Sequence, residues 1–153
     1  MKPYYQDDAV TIYHGDFRSL ASTLPKADVI IADPPYAETN LAWDRWPEGW
    51  TIDAAGVSRS MWCFGSMRMF LDRGHTFCAG DWVFAQDIIW EKHNGSGSSA
   101  DRFRRVHEIC CQFYLGEWSS LYHQPVMTQD ATARTVRRKP AQSGQAEVKY
   151  YRI

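Results

Sequence analysis

The run Val29-Ile30-Ile31-Ala32, followed at once by Asp33-Pro34-Pro35-Tyr36, constrains this chain more than any other segment. A short, continuously apolar run is the pattern of a strand covered on both faces, as in the centre of a parallel sheet. The two prolines stop it abruptly. Neither can donate to a sheet ladder, both have φ fixed near −65°, and each pushes the residue before it toward extended geometry. The carbonyl of Pro34 is therefore held in a set direction, beside the Asp33 carboxylate. In open α/β sheets, ligands bind beyond the carboxyl ends of strands, so the same few residues point to a fold class and to a site.

The neighbouring pattern supports an α/β reading. Residues 9–13 (AVTIY) read as a strand and His14-Gly15-Asp16 as a turn. Phe17, Leu20, Ala21 and Leu24 share one helical face, and Pro25 ends it. With 28–32 this makes a strand–helix–strand unit, whose crossover should be right-handed, and it predicts a sheet with helices on both faces. Residues 37–50 show no period and read as a loop containing Trp43, Trp46 and Trp50. A short helix is expected within 52–60 and a strand at 61–65. A second helix is expected over 66–74, capped by Ser66 and closed by Gly74. Strands follow at 81–92 and 106–115, separated by a polar linker at 93–100. Patterning fades after Gly116, and 128–149 have the composition of a loop or partly disordered tail.

At 153 residues the chain fits one domain, and 44% apolar with 23% charged residues is ordinary for a soluble globular protein. No apolar run approaches the roughly 18 residues of a membrane span, and the N-terminus lacks a signal-peptide stretch, so the expected location is the cytoplasm. Cys63, Cys78, Cys110 and Cys111 lack paired metal-ligand spacing, and His75 with Cys78 makes only half a site, so no metal is expected. Charge is uneven. Residues 1–53 carry four Lys/Arg against nine Asp/Glu, and 102–153 carry nine against four. Arg102, Arg104 and Arg105 follow the linker, and Arg134, Arg137, Arg138 and Lys139 lie in the weakly patterned tail. Basic segments of this kind suit nucleic-acid phosphates.

The chemistry of Asp33 to Tyr36 is specific. An ionised Asp only accepts hydrogen bonds. Together with the Pro34 carbonyl it forms a rigid pair of acceptors, and Tyr36 adds a flat ring. That set suits a planar group bearing an NH2, such as a nucleobase. An exocyclic amine is a poor nucleophile because its lone pair is delocalised into the ring. Accepting both N–H bonds draws the nitrogen toward tetrahedral geometry, and the acceptors stabilise the positive charge that develops during attack.

These residues resemble the S-adenosylmethionine-dependent DNA amino methyltransferases, in the class that places its DPPY motif ahead of its cofactor motif. The resemblance runs through IYHGDFRSLASTLPKADVIIADPPY and continues in order through WCFGS, DIIWEKHNGSG and RFRRVHEICCQFYLGEW, covering 10–118. It implies a Rossmann-like methyltransferase sheet flanked by helices, with S-adenosylmethionine as cofactor and double-stranded DNA as partner. It implies a catalytic core at 1–118 and a partial target-recognition region or tail at 119–153. Asp33 and Pro34 would accept from the target amine, Pro35 would hold the turn, and Tyr36 would stack on an extruded base. Asp16 would lie near the cofactor's adenine; read from the residues alone, it is a turn or helix-capping aspartate. Trp43 and Asp44 would border the base. His107-Glu108 match a recurring family pair, with no catalytic role assigned.

The chain departs from the family pattern in one respect. The family's Gly-rich cofactor loop, needed for close backbone approach to the methionine moiety, has no clear match, HNGSGSS being the only candidate. The expectation is therefore a sheet incomplete at its C-terminal side, met by self-association or by a partner bearing the other half. Adenine N6 is the expected acceptor, with cytosine N4 or RNA adenine as alternatives. A truncated or degenerate nucleic-acid-binding relative, or one part of a split enzyme, is the competing reading.

Overall fold

In a computed structural model, which describes residues 2–96, 100–101, 103–122 and 124, four strands form a mixed sheet. The strands are β3 (Ile30–Ala32), β4 (Ser60–Gly65), β5 (Val83–Ser96) and β6 (Arg105–Tyr114), in the order β3-β4-β6-β5. β3 pairs parallel to β4, and β6 runs antiparallel to both β4 and β5. Two further short strands, β1 (Tyr5–Gln6) and β2 (Thr11–Ile12), form a separate hairpin. The helices are α1 (Phe17–Leu20), α2 (Trp50–Ala55) and α3 (Met67–Ala79). The compact unit built from them ends at Leu121; a second begins at Tyr122, of which only Tyr122 and Gln124 are described. No described helix is long and apolar enough to cross a membrane.

Alternation along β4 sorts the sheet into two faces. Met61, Cys63 and Gly65 point to a buried face, joined through the strand register by Ile109, Cys111 and Phe113 of β6. Trp46, Trp50, Ala54, Met69, Phe77 and Trp82 close over that face and complete the core. Phe77 is its centre. Its ring stacks on Phe113 at 4.2 Å and 8°, and it meets Trp50 edge-on at 6.0 Å. Gly65 lets α3 approach the sheet closely, because a Cβ there would strike the Met69 side chain and come within 2.8 Å of Phe70. The Trp82 indole N–H donates to the Thr51 carbonyl at 2.8 Å, and the Thr51 hydroxyl donates to the Thr76 carbonyl at 2.7 Å, tying α2 to α3.

Several expectations change. The strand expected at 9–13 shrinks to Thr11–Ile12 and pairs with Tyr5–Gln6 instead of entering the main sheet, so no strand–helix–strand unit links it to β3. The Asp7 carboxylate closes that hairpin by accepting from the Ala9 and Val10 amides at 2.8 and 2.7 Å. The helix at 17–24 is a single α-turn continued by a 3-10 turn, Ala21–Thr23. The helix expected at 52–60 starts at Trp50, because Gly49 takes a left-handed φ of 82° that launches it early. α3 does not stop at Gly74 but runs to Ala79. Burial of Phe77, 1% exposed, outweighs the roughly 1 kcal/mol that an internal glycine costs. β5 extends through the expected linker to Ser96.

β3, expected at the centre of a sheet, is an edge of the described one, and Ile31 is 72% exposed. The helices packed on the sheet, α2 and α3, cover one face, not both. The opposite face presents Ile31, Trp62, Phe64 and Trp90, with the Phe64 and Trp90 rings edge-to-face at 5.7 Å. Phe77→Ala removes the ring that joins α3 to β6, and it should destabilise the fold by about 3–5 kcal/mol in urea denaturation.

Candidate active site

The parallel pairing of β3 and β4 brings their carboxyl ends to the same end of the sheet, and antiparallel β6 begins there. Three chain segments therefore converge: Asp33 to Tyr36 after β3, Ser66 after β4, and Arg105 at the start of β6. Asp33 is exposed. Its Oδ1 accepts from the Tyr36 hydroxyl at 2.8 Å, and its Oδ2 carries no other hydrogen bond among the described residues. Pro34 and Pro35 are half-buried, and Tyr36 packs its ring against the core. Burial, reinforced by the Asp33 carboxylate, pushes the Tyr36 phenol well above its ordinary range, so Tyr36 remains a donor to Asp33 at neutral pH.

The loop after Tyr36 is folded around Asp44, which is only 3% exposed. Ala37 adopts a left-handed φ of 57°, a conformation that costs about 1–3 kcal/mol for a residue with a Cβ. That reversal aims three successive amides at one carboxylate. Ala37, Glu38 and Thr39 N–H donate to Asp44 at 2.7, 3.0 and 2.7 Å. The Thr39 hydroxyl and these amides hold the Asp44 carboxyl below its ordinary range. Asp44, expected to border a target base, is thus committed to the loop's own backbone. Trp43 beside it is 69% exposed and free to contact a ligand.

Glu38, which the sequence did not single out, crosses from this loop to the other two segments. One carboxylate oxygen accepts from the Ser66 hydroxyl, and the other accepts from both terminal nitrogens of Arg105 at 3.2 Å. Ser66 also caps α3, as expected, by accepting from the Met69 amide at 2.9 Å. A cleft of about 320 Å³ opens beside this contact, lined by Ser66, Met67, Arg68, Arg105, His107, Glu108 and Ile109. Glu108 pairs with Lys92 across the β5–β6 hairpin at 2.7 Å.

The remaining sequence candidates fall elsewhere. Asp16 caps α1 by accepting from the Arg18 amide at 3.0 Å, and it also pairs with the Arg18 guanidinium. Arg104 is exposed. Arg102, Arg134, Arg137, Arg138 and Lys139 lie outside the described residues. Among the described residues, no group of three His, Cys, Asp or Glu could hold a metal. Gly65, at the end of β4, has its side-chain space filled by Met69 and Phe70. Among the described residues, the Asp33 carboxylate and the Tyr36 ring stand together at the end of β3.

Residues 27–151 match the family model described as DNA methylase. Comparison with curated protein sequences gives no match. Two solved structures share the fold: the crystal structure of M1.HpyAVI, with a TM-score of 0.52 at 22% identity, and the crystal structure of the M1.HpyAVI-SAM complex, with a TM-score of 0.51 at 21% identity. Each match covers 67% of this chain and 54% of the other, so this chain spans about half the length of the structures it resembles.

The Asp16 pair makes a pH prediction. Arg18 draws the Asp16 carboxyl down to about 2 from an ordinary 3.8, so its contribution to stability is full above the ordinary value and is lost as pH falls through about 2. Carbon-13 NMR titration should give this low midpoint, and Arg18→Ala should return it toward 3.8.

Proposed function

The chain belongs to the DNA methylase family, and from that premise we propose that it serves methyl transfer from S-adenosylmethionine to the exocyclic N6 amine of adenine in double-stranded DNA. The observation that carries this reading is the acceptor turn. Asp33 stands exposed at the carboxyl end of β3 with one carboxylate oxygen unclaimed among the described residues, beside the Pro34 carbonyl, which lies past the end of that strand. A carboxylate at Asp33, where related enzymes with other acceptors carry Asn or Ser, favours adenine over cytosine N4.

S-adenosylmethionine supplies an electrophilic methyl group; the SAM complex of a structural neighbour supports it as the donor. The chain's own residues act on the amine. Asp33 Oδ2 and the Pro34 carbonyl each accept one N–H of the extruded adenine, which directs the nitrogen lone pair away from the ring plane. The charge that develops on nitrogen is met by an ionised carboxylate and a carbonyl dipole already in place, so no reorganisation is needed during reaction. Asp33 need not be a strong base, because the methylated amine is acidic enough to lose a proton readily. Tyr36 holds Asp33 through its hydroxyl and offers its exposed ring surface for stacking, and exposed Trp43 reaches the same base from the loop. Arg104, Arg102 and the basic tail residues Arg134, Arg137, Arg138 and Lys139 supply phosphate contacts. Asp16 serves the cofactor's adenine only by releasing Arg18. The remaining cofactor contacts come from polypeptide beyond the described residues, in the same chain, a second copy or a partner. Action on DNA in the cytoplasm is consistent with this reading.

Labelled methyl transfer to mixed-sequence duplex DNA, followed by nucleoside analysis, tests the proposal. Label should appear on adenine N6, and Asp33→Ala should lower transfer by at least ~100-fold, the scale of losing one preorganised charge-stabilising group. DNA affinity should change little. Label on cytosine N4 would reassign the acceptor, and DNA binding without transfer would favour a degenerate nucleic-acid-binding relative.

A further inference from the structure

We propose that Glu38 is the positioning residue of the acceptor turn, and that Arg105 serves Glu38 rather than a DNA phosphate. Glu38 lies two residues after Tyr36, and its placement is fixed from both sides. On the backbone side, the left-handed turn at Ala37 and the buried Asp44 carboxylate hold amides 37–39 in one arrangement. On the side-chain side, one oxygen takes the Ser66 hydroxyl and the other takes the two-pronged Arg105 guanidinium. The Glu38 side chain is 16% exposed and the Arg105 side chain 42%, so the carboxylate is sheltered while its partner stays open to solvent on one side.

The geometry gives this contact its meaning. Ser66 is fixed by β4 and by its own capping bond to α3, and Arg105 opens β6. β3 is only three residues long and, among the described residues, pairs on one side only, with β4. The ladder alone therefore leaves the end of β3, and the Asp33–Pro34 acceptors beyond it, weakly located. Tyr36 anchors the turn on the core, and Glu38 adds a second restraint by tying the segment after it to the two neighbouring strand ends. A planar guanidinium accepted by one carboxylate constrains orientation as well as distance. A displacement of about 1 Å at reacting groups can cost about 100-fold in rate, so a restraint of this kind reaches the chemistry without touching the substrate. The sequence places Arg105 in a basic cluster suited to phosphate; the fold instead gives its charge an internal partner.

The experiment uses the full chain. Hydrogen–deuterium exchange followed by mass spectrometry is compared for wild type, Glu38→Gln, Arg105→Ala and Arg105→Lys. Glu38→Gln keeps the size of the side chain but presents an amide to Arg105. Expected is faster exchange at 37–39, by at least about 10-fold, with β6 residues 109–114 unchanged, which also shows that the variant is folded. Arg105→Ala should reproduce that loosening, and Arg105→Lys, which keeps charge without the fork, should fall between. Unchanged exchange at 37–39 in both Glu38→Gln and Arg105→Ala overturns the proposal. So does a decrease of about 0.9 in the magnitude of the slope of log affinity against log salt for Arg105→Ala, the signature of one lost phosphate contact.

The kinetic arm rests on the methyl-transfer reading. There, Glu38→Gln should lower kcat by about 10- to 100-fold while KM for DNA stays within about 2-fold, because Glu38 touches no DNA. A wild-type chain that transfers no methyl group, but loosens at 37–39 on Glu38→Gln, would remove the enzymatic reading and leave the positioning role standing. A chain that transfers methyl groups with kcat unaffected by Glu38→Gln would do the reverse.

Discussion

The stack of Phe77 on Phe113 is the contact on which the rest of the structure depends. It seats α3 on β6 at 4.2 Å, nearly plane on plane, and Gly65 allows that approach. Because α3 begins at Ser66, seating the helix also fixes the Ser66 hydroxyl at the carboxyl end of β4. Glu38 then finds a stationary partner, and the segment after Asp33 to Tyr36 is held through it. A ring contact in the core is thereby connected to an exposed carboxylate through a helix cap and one glutamate. Aromatic pairs of this kind contribute about 0.5–1.5 kcal/mol beyond their buried area. In this fold the larger effect is geometric, because the same stack determines where a helix starts.

The membership of the DNA methylase family and the fold shared with M1.HpyAVI agree with this arrangement. A parallel β3–β4 pair followed by an antiparallel β5–β6 hairpin places a carboxylate, a hydroxyl cap and a basic strand end together at one edge. The three come from positions 33, 66 and 105, far apart in sequence, yet sheet register alone brings them into one place. Within the described residues this is chemistry for gripping an amine. On the proposed reading, the site would hold hydrogen-bond donors through acceptors whose directions are set by proline and by strand geometry.

What was legible in the sequence had local causes. The end of β3, the Ser66 cap and the strand at β4 follow from proline geometry, a hydroxyl ahead of a helix, and alternation of large and small apolar residues. What was not legible depended on partners distant in sequence. Residues 9–13 have strand composition, but composition does not say which edge they join, and the Asp7 turn gives them to Tyr5–Gln6. Gly74 resembles a helix stop because the demand of Phe77 for burial, three positions further on, is invisible to local pattern. Asp44 looked like a site residue because it follows the motif. Its role in collecting three amides became visible only with the left-handed Ala37. Glu38 carried no signal at all, since its partner Arg105 lies 67 positions away.

Among the described residues β3 stands at the edge of its sheet, so one side of its backbone is open to another strand. The strand ends in the acceptor turn, so a backbone that paired along Ile30–Ala32 would run directly up to Asp33.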